Sequence, residues 1–189
     1  MFCAVVLVAG SIAGTIAYLT SQQTITNTFT VGNVTITLDE AKVNSDGQAE
    51  DHDDRWASGN AYKLFPGKTY DKDPIIHVDS QSEACWLFVK IVNNIDGIEV
   101  AEADGDTIAE QLTANGWTLV SGETDVYCRD NANSAGNNVP VFETFTIADD
   151  VNNATLADNA GKTIVVTAYA VQADGFDTAQ AAWDATFGA

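Results

Sequence analysis

The nine residues CWLFVKIVN (Cys85–Asn93) constrain the fold more than any other stretch. They are apolar on both parities. Side chains of an extended chain alternate between faces, so this segment reads as a central strand covered on both sides. Other segments share the period of two. TFTVGNVTITLDE (Thr28–Glu40) places Phe29 and Val31 on one parity and Val34, Ile36 and Leu38 on the other. That change of face across Gly32-Asn33 requires a bulge or a turn. PIIHVD, VPVFETFTIAD and KTIVVTAYAVQA read as further strands, and WTLVSGETDVYC as a hairpin turning at Ser121-Gly122. Phe65-Pro66-Gly67 has the order of a type II turn.

Two segments break this period. In DGDTIAEQLTANGW, Thr107 and Glu110 form a capping box, Ile108 and Leu112 lie one turn apart, and Asn115-Gly116 supplies the stop. In DTAQAAWDATFG, an Asp177 cap precedes alanines, with Trp183 and Phe187 four apart, which predicts a terminal helix docking an aromatic face. Many strands with helices only as insertions point to an all-β sandwich with short inserted helices and a C-terminal helix. No internal repeat or second domain is visible, and 189 residues suit one domain.

Charge is distributed unevenly. There are 27 acidic residues against 8 basic ones, a formal charge of −19. Phosphate contacts need clustered Lys and Arg, so a nucleic-acid partner is excluded. The acidic excess reads as a solvated surface that resists nonspecific association, with loose divalent-cation binding as a secondary effect. The segment Val43–Asn60 reads as a long exposed acidic loop. Yet residues 1–38 hold no Asp, Glu, Lys or Arg. Their first part, Phe2–Gly14, is an apolar run shorter than the ~20 residues of a membrane span. Thr15 and Ala17 then offer small residues at the positions a signal peptidase reads. We therefore expect residues 1–17 to be a signal peptide cleaved between Ala17 and Tyr18, and residues 18–189 to be one secreted domain that meets the membrane only through its signal. No Lys or Arg precedes the apolar run.

Cys3 lies in the signal, leaving Cys85 and Cys128 in strand-like surroundings. In an exported chain such a pair reads either as a disulfide or as two separate buried thiols. Residues with catalytic potential are few. The two histidines, His52 in EDHDD and His77 in PIIHVD, read as a solvated loop residue and an ordinary strand residue. There is no H-E-x-x-H, no G-x-S-x-G and no phosphate-binding P-loop, and in EADGDTIAE the glycine comes too early for an EF-hand. The expectation is a non-enzyme with no catalytic, cofactor or metal residues.

The sequence resembles the TasA/camelysin (CalY-like) family of exported bacterial proteins, whose signals are cut by the signal peptidase SipW. The resemblance rests on GTIAYLT at the cleavage region, TNTFTVGNVTITLDE after it, LFPGKTYDKDPIIHV, VTAYAVQADGF and AAWDATFG, in that order along essentially the whole chain. The uncharged start departs from the family, whose signals usually begin with lysines. The resemblance implies a jelly-roll β-sandwich that polymerises into fibres of the extracellular biofilm matrix or cell surface. The partner is then another copy of the chain, with a minor matrix or anchor protein as a second. Subunits join by donor-strand complementation, which here assigns the donated strand to Tyr18 through about Phe29 and the pivot to Gly32-Asn33. Thr24, Thr26 and Thr28 against Ile25 and Phe29 fit such a strand. A strand that is buried in a neighbour avoids charge, because unpaired buried charge is costly. The simpler reading keeps residues 18–38 as one long strand of their own sheet. Camelysin members have also been described as metalloproteases, an alternative that two histidines support poorly. A monomeric surface adhesin or binding module using the acidic loop is a third reading.

Overall fold

The computed structural model describes residues 20–24, 27–30, 34–101 and 107–188. Its strands, in chain order, are β1 Thr20–Thr24, β2 Asn27–Thr30, β3 Ile36–Ala41, β4 Arg55–Trp56, β5 Thr69–Asp71 and β6 Ile75–Val78, then β7 Cys85–Asn93, β8 Trp117–Leu119, β9 Val126–Arg129, β10 Asn138–Pro140, β11 Thr144–Thr146 and β12 Ile164–Gln172. Three short helices interrupt them: α1 Ile108–Ala114, α2 Asn153–Asp158 and α3 Ala179–Thr186.

The doubly apolar segment is β7, with the bounds its composition suggests. It lies inside a six-stranded antiparallel sheet of order β2-β1-β12-β7-β9-β8 and pairs with β12 along its whole length, from Cys85↔Gln172 to Asn93↔Ile164. One face of β7 carries Leu87 and Val89 into the main core. There they meet Ile36 and Leu38 of β3, Ile76 and Val78 of β6, and Val166 and Ala168 of β12. The opposite layer is a four-stranded sheet, β10-β6-β3-β4, with the β11-β5 pair beside it. The other face of β7 carries Trp86 and Phe88 into a second cluster closed by Ala182 and Trp183 of α3. The chain is thus an all-β sandwich with a helix on its outer face. Each fully buried side chain of this size contributes ~1.5–3 kcal/mol.

Both expected helices form, because their ends are satisfied. Thr107 Oγ1 accepts from Glu110 N at 3.2 Å, and Glu110 Oε2 accepts from Thr107 N at 2.8 Å. Gly116 adopts φ +76° just past the end of α1, a region that suits glycine. In α3 the cap is Thr178 rather than Asp177: its hydroxyl accepts from Ala181 N at 3.1 Å. The start is set by the face that docks, since Ala179, Ala182 and Trp183 are its buried residues. The Trp183 and Phe187 rings meet at a tilt of 40° with centroids 4.5 Å apart.

Three local features differ from the sequence reading. VPVFETFTIAD divides into β10 and β11, which join different partners, β6 and β5. Pro140 has no N–H to donate, and Glu143 N and Thr144 N turn to Gln111 Oε1 at 2.9 and 3.0 Å. Helix α2 lies between two of the expected strands, where the sequence reading places no element; the Asn152 side chain caps it by accepting from Ala154 N and Thr155 N. The acidic segment Val43–Asn60 is more structured than a solvated loop. It contains β4 and a β-bridge between Val43 and Ala49. Gly47, at φ +70°, packs so closely on the buried Tyr70 ring that a Cβ there would overlap it.

Candidate functional site

The N-terminal segment occupies a sheet edge. β1 pairs antiparallel with β12 from Thr20↔Val171 to Thr24↔Thr167. β2 then pairs with the far side of β1, from Ser21↔Thr30 to Thr24↔Asn27. Thus Thr24 stands opposite Thr167 and Asn27, while Thr28 and Phe29 stand opposite Gln23 and Gln22. The stretch expected to run extended from Tyr18 to Phe29 therefore reverses between Thr24 and Asn27, and residues 18–38 are not one long strand. TSQQT holds no apolar residue, so no hydrophobic set fixes its register; the backbone ladder is the ordering force. Asn27, a turn-favouring residue, follows the reversal. Ala17, Tyr18, Ile25, Thr26, Gly32 and Asn33 lie outside the described residues, and with them the cleavage site, the middle of the expected donor strand and the pivot.

A second grouping is ionic and covers the outer face of the smaller sheet. Arg55 of β4 is its hub. Arg55 Nε donates to Asp39 Oδ1 at 2.6 Å, and its Nη1 donates to Asp73 Oδ2 at 2.9 Å. Its Nη2 donates to the backbone oxygen of Asp73 at 2.6 Å. Both histidines join this group: His52 Nδ1 lies 3.0 Å from Asp73 Oδ2, and His77 Nε2 lies 3.0 Å from Asp39 Oδ1. The hydrogen bond to Asp73 raises the His52 pKa above its ordinary value; burial opposes this, Asp71 adds to it and Arg55 reduces it. Burial alone would raise the Asp73 carboxyl, but hydrogen bonds from His52, the Ala41 N–H and Arg55 outweigh it and hold the carboxyl below the usual range. The group pins the acidic loop to β3 and to the chain between β5 and β6. Sequence reading missed it, since its members come from separate segments. A signal existed in the parity: Asp39, Asp73 and His77 all fall on the face away from the core.

On the core side the same two segments bury an ion pair. Lys72 Nζ meets Glu40 Oε2 at 2.5 Å, with side chains 5% and 1% exposed. Glu40 Oε1 accepts from Asn60 N and Asn60 Nδ2 at 2.8 and 2.9 Å. Parity marks these residues too: Glu40 continues Val34, Ile36 and Leu38, and Lys72 continues Tyr70 toward Ile76. Elsewhere, burial raises the Glu99 carboxyl, while bonds from Ile108 N and Asn93 Nδ2, each 2.8 Å, pull it back.

Of the two readings of Cys85 and Cys128, the structure shows the second: there is no bridge, and both thiols are free and buried. β7 and β9 are neighbours, but Cys128 stands opposite Phe88, not Cys85. Cys85 faces the main core and Cys128 the cluster under α3, so the two sulfurs lie on opposite sides of one sheet. Burial pushes the Cys85 thiol up to about 12 and raises that of Cys128 as well. Among the described residues, no group of three His, Cys, Asp or Glu side chains is placed to hold a metal ion. No family model, curated protein or solved structure matches the chain.

Proposed function

We propose that this chain is a secreted, fibre-forming subunit of an extracellular matrix, which polymerises by giving its N-terminal segment to the next subunit. The observation that carries the reading is the placement of β1. It covers the edge of β12, whose opposite edge is fully paired with β7, and it does so without one apolar or charged side chain. A hairpin placed in this way, with β2 outermost and β1 on β12, is exchangeable: the same backbone ladder accepts the same residues from another copy. Without such a cover, β12 presents unpaired N–H and C=O groups beside the buried Val166, Ala168 and Ala170. The sequence adds a second support. Charge is absent up to Leu38 and begins at Asp39, inside β3, so the uncharged segment ends where the domain's own core strands start.

The test compares the chain from Tyr18 onward with a variant that begins at Val31, by electron microscopy and thermal unfolding. The full segment should give fibres, and the shortened chain a β-rich monomer with a lower Tm. A synthetic peptide of residues 18–30 should raise that Tm in a concentration-dependent way and shorten fibres of the full chain. Normal fibres from the shortened chain would sink the proposal, because the contacts would then lie elsewhere.

A further inference from the structure

A cavity of about 490 Å³ opens beside the main core, between the loop that follows Asn60 and the α2–β12 connection. Its volume lies in the range that encloses a small organic molecule. Tyr62 and Leu64 form part of one wall, and Leu156 and Ile164 part of the other. These four side chains pack on the core without being fully buried, so apolar surface is left facing the space.

The polar part of the lining is unusual for this chain. It includes Lys72 and Lys162, two of only 8 basic residues, and none of the 27 acidic ones. The Lys72 side chain is 5% exposed, and its ammonium has three N–H groups to satisfy. Glu40 Oε2 is its one hydrogen-bond partner among the described residues. The other oxygen of Glu40 is taken by Asn60, so the carboxylate behind Lys72 is committed on both sides. A buried ammonium with donors to spare stabilises an acceptor brought to it, more so when the acceptor is charged.

We infer that this cavity binds a small organic monocarboxylate, with its apolar body against Tyr62, Leu64, Leu156 and Ile164 and its carboxylate on Lys72 and Lys162. The inference is independent of fibre formation. It also runs against the general field: a chain at −19 repels anions and attracts cations, so anion preference must come from a local site.

Titration calorimetry on the full chain with 3-phenylpropanoate, 3-phenylpropanol and 3-phenylpropylamine tests it. One carboxylate should bind per chain, about tenfold tighter than the alcohol, with the amine weakest. Lys162→Gln should weaken the carboxylate and leave the alcohol unchanged. Leu156→Trp, which fills the cavity from a helix that buries none of its residues, should abolish both with an unchanged circular dichroism spectrum. Alcohol or amine binding as tight as that of the carboxylate would overturn the inference. So would unaltered affinity in Leu156→Trp, or no binding at millimolar ligand.

Discussion

Arg55 shows how much one side chain can hold at a sheet surface. Its guanidinium joins two carboxylates from different segments and is 13% exposed. Arg55→Met keeps the stem but removes the guanidinium that joins Asp39 and Asp73, and should cost about 3 kcal/mol in urea unfolding. The pH dependence follows from His52 and Asp73. The His52 contribution is complete below its ordinary pKa of 6.5 and is lost as pH rises through its raised folded value. The Asp73 contribution is complete above its ordinary 3.8 and is lost as pH falls through its lowered folded value. The grouping is therefore strongest under mildly acidic conditions. The stability lost in His52→Gln should be larger at about pH 5.5 than at about pH 8. An equal loss at both would mean that the His52–Asp73 contact does not titrate.

At the scale of elements, α3 is the lid on the outer face of β7. Trp183 packs on Phe88 and Tyr169 at ring distances of 5.0 and 5.8 Å, and its Nε1 donates to Glu123 Oε1 at 3.1 Å. Trp183→Ala should cost about 3–5 kcal/mol in thermal or urea unfolding. Removing the cap with Thr178→Ala should cost about 1 kcal/mol. These elements were legible because each announces itself within a few residues. The two-parity burial of β7, the box at Thr107 and Glu110, and the Trp183–Phe187 spacing are all local. What escaped depends on partners distant in the chain. Cys85 and Cys128 lie in strands that do pair, but the β7–β9 register that separates them is written in neither. The hub at Arg55 looked like one base in a solvated acidic run, because Asp39 and Asp73 are 16 and 18 residues away. Glu40 and Lys72 could have been found, since both continue a core-facing parity. A charged residue in such a row is readily taken as the end of the strand instead of as half of a buried pair.

For the whole molecule, the acidic excess opposes any close array of copies. Subunits of charge −19 packed in a row repel, and protonation or divalent cations reduce that cost. Light scattering across pH and calcium concentration should show assembly promoted by acid and by the cation. Indifference to both would mean that the charged surfaces point away from every contact. The β12 edge under β1 would set the terms of the proposed assembly in another way. A backbone ladder does not distinguish a strand supplied by its own chain from one supplied by a neighbour. The two compete by proximity alone, and a tether as short as the one between β2 and β3 gives the home strand an effective concentration of about millimolar. On the proposed reading, each copy is closed on itself at ordinary concentrations, and joining waits for that closure to break. Growth should then be governed by waiting time: a long lag in fresh solutions, abolished by a trace of preformed ends.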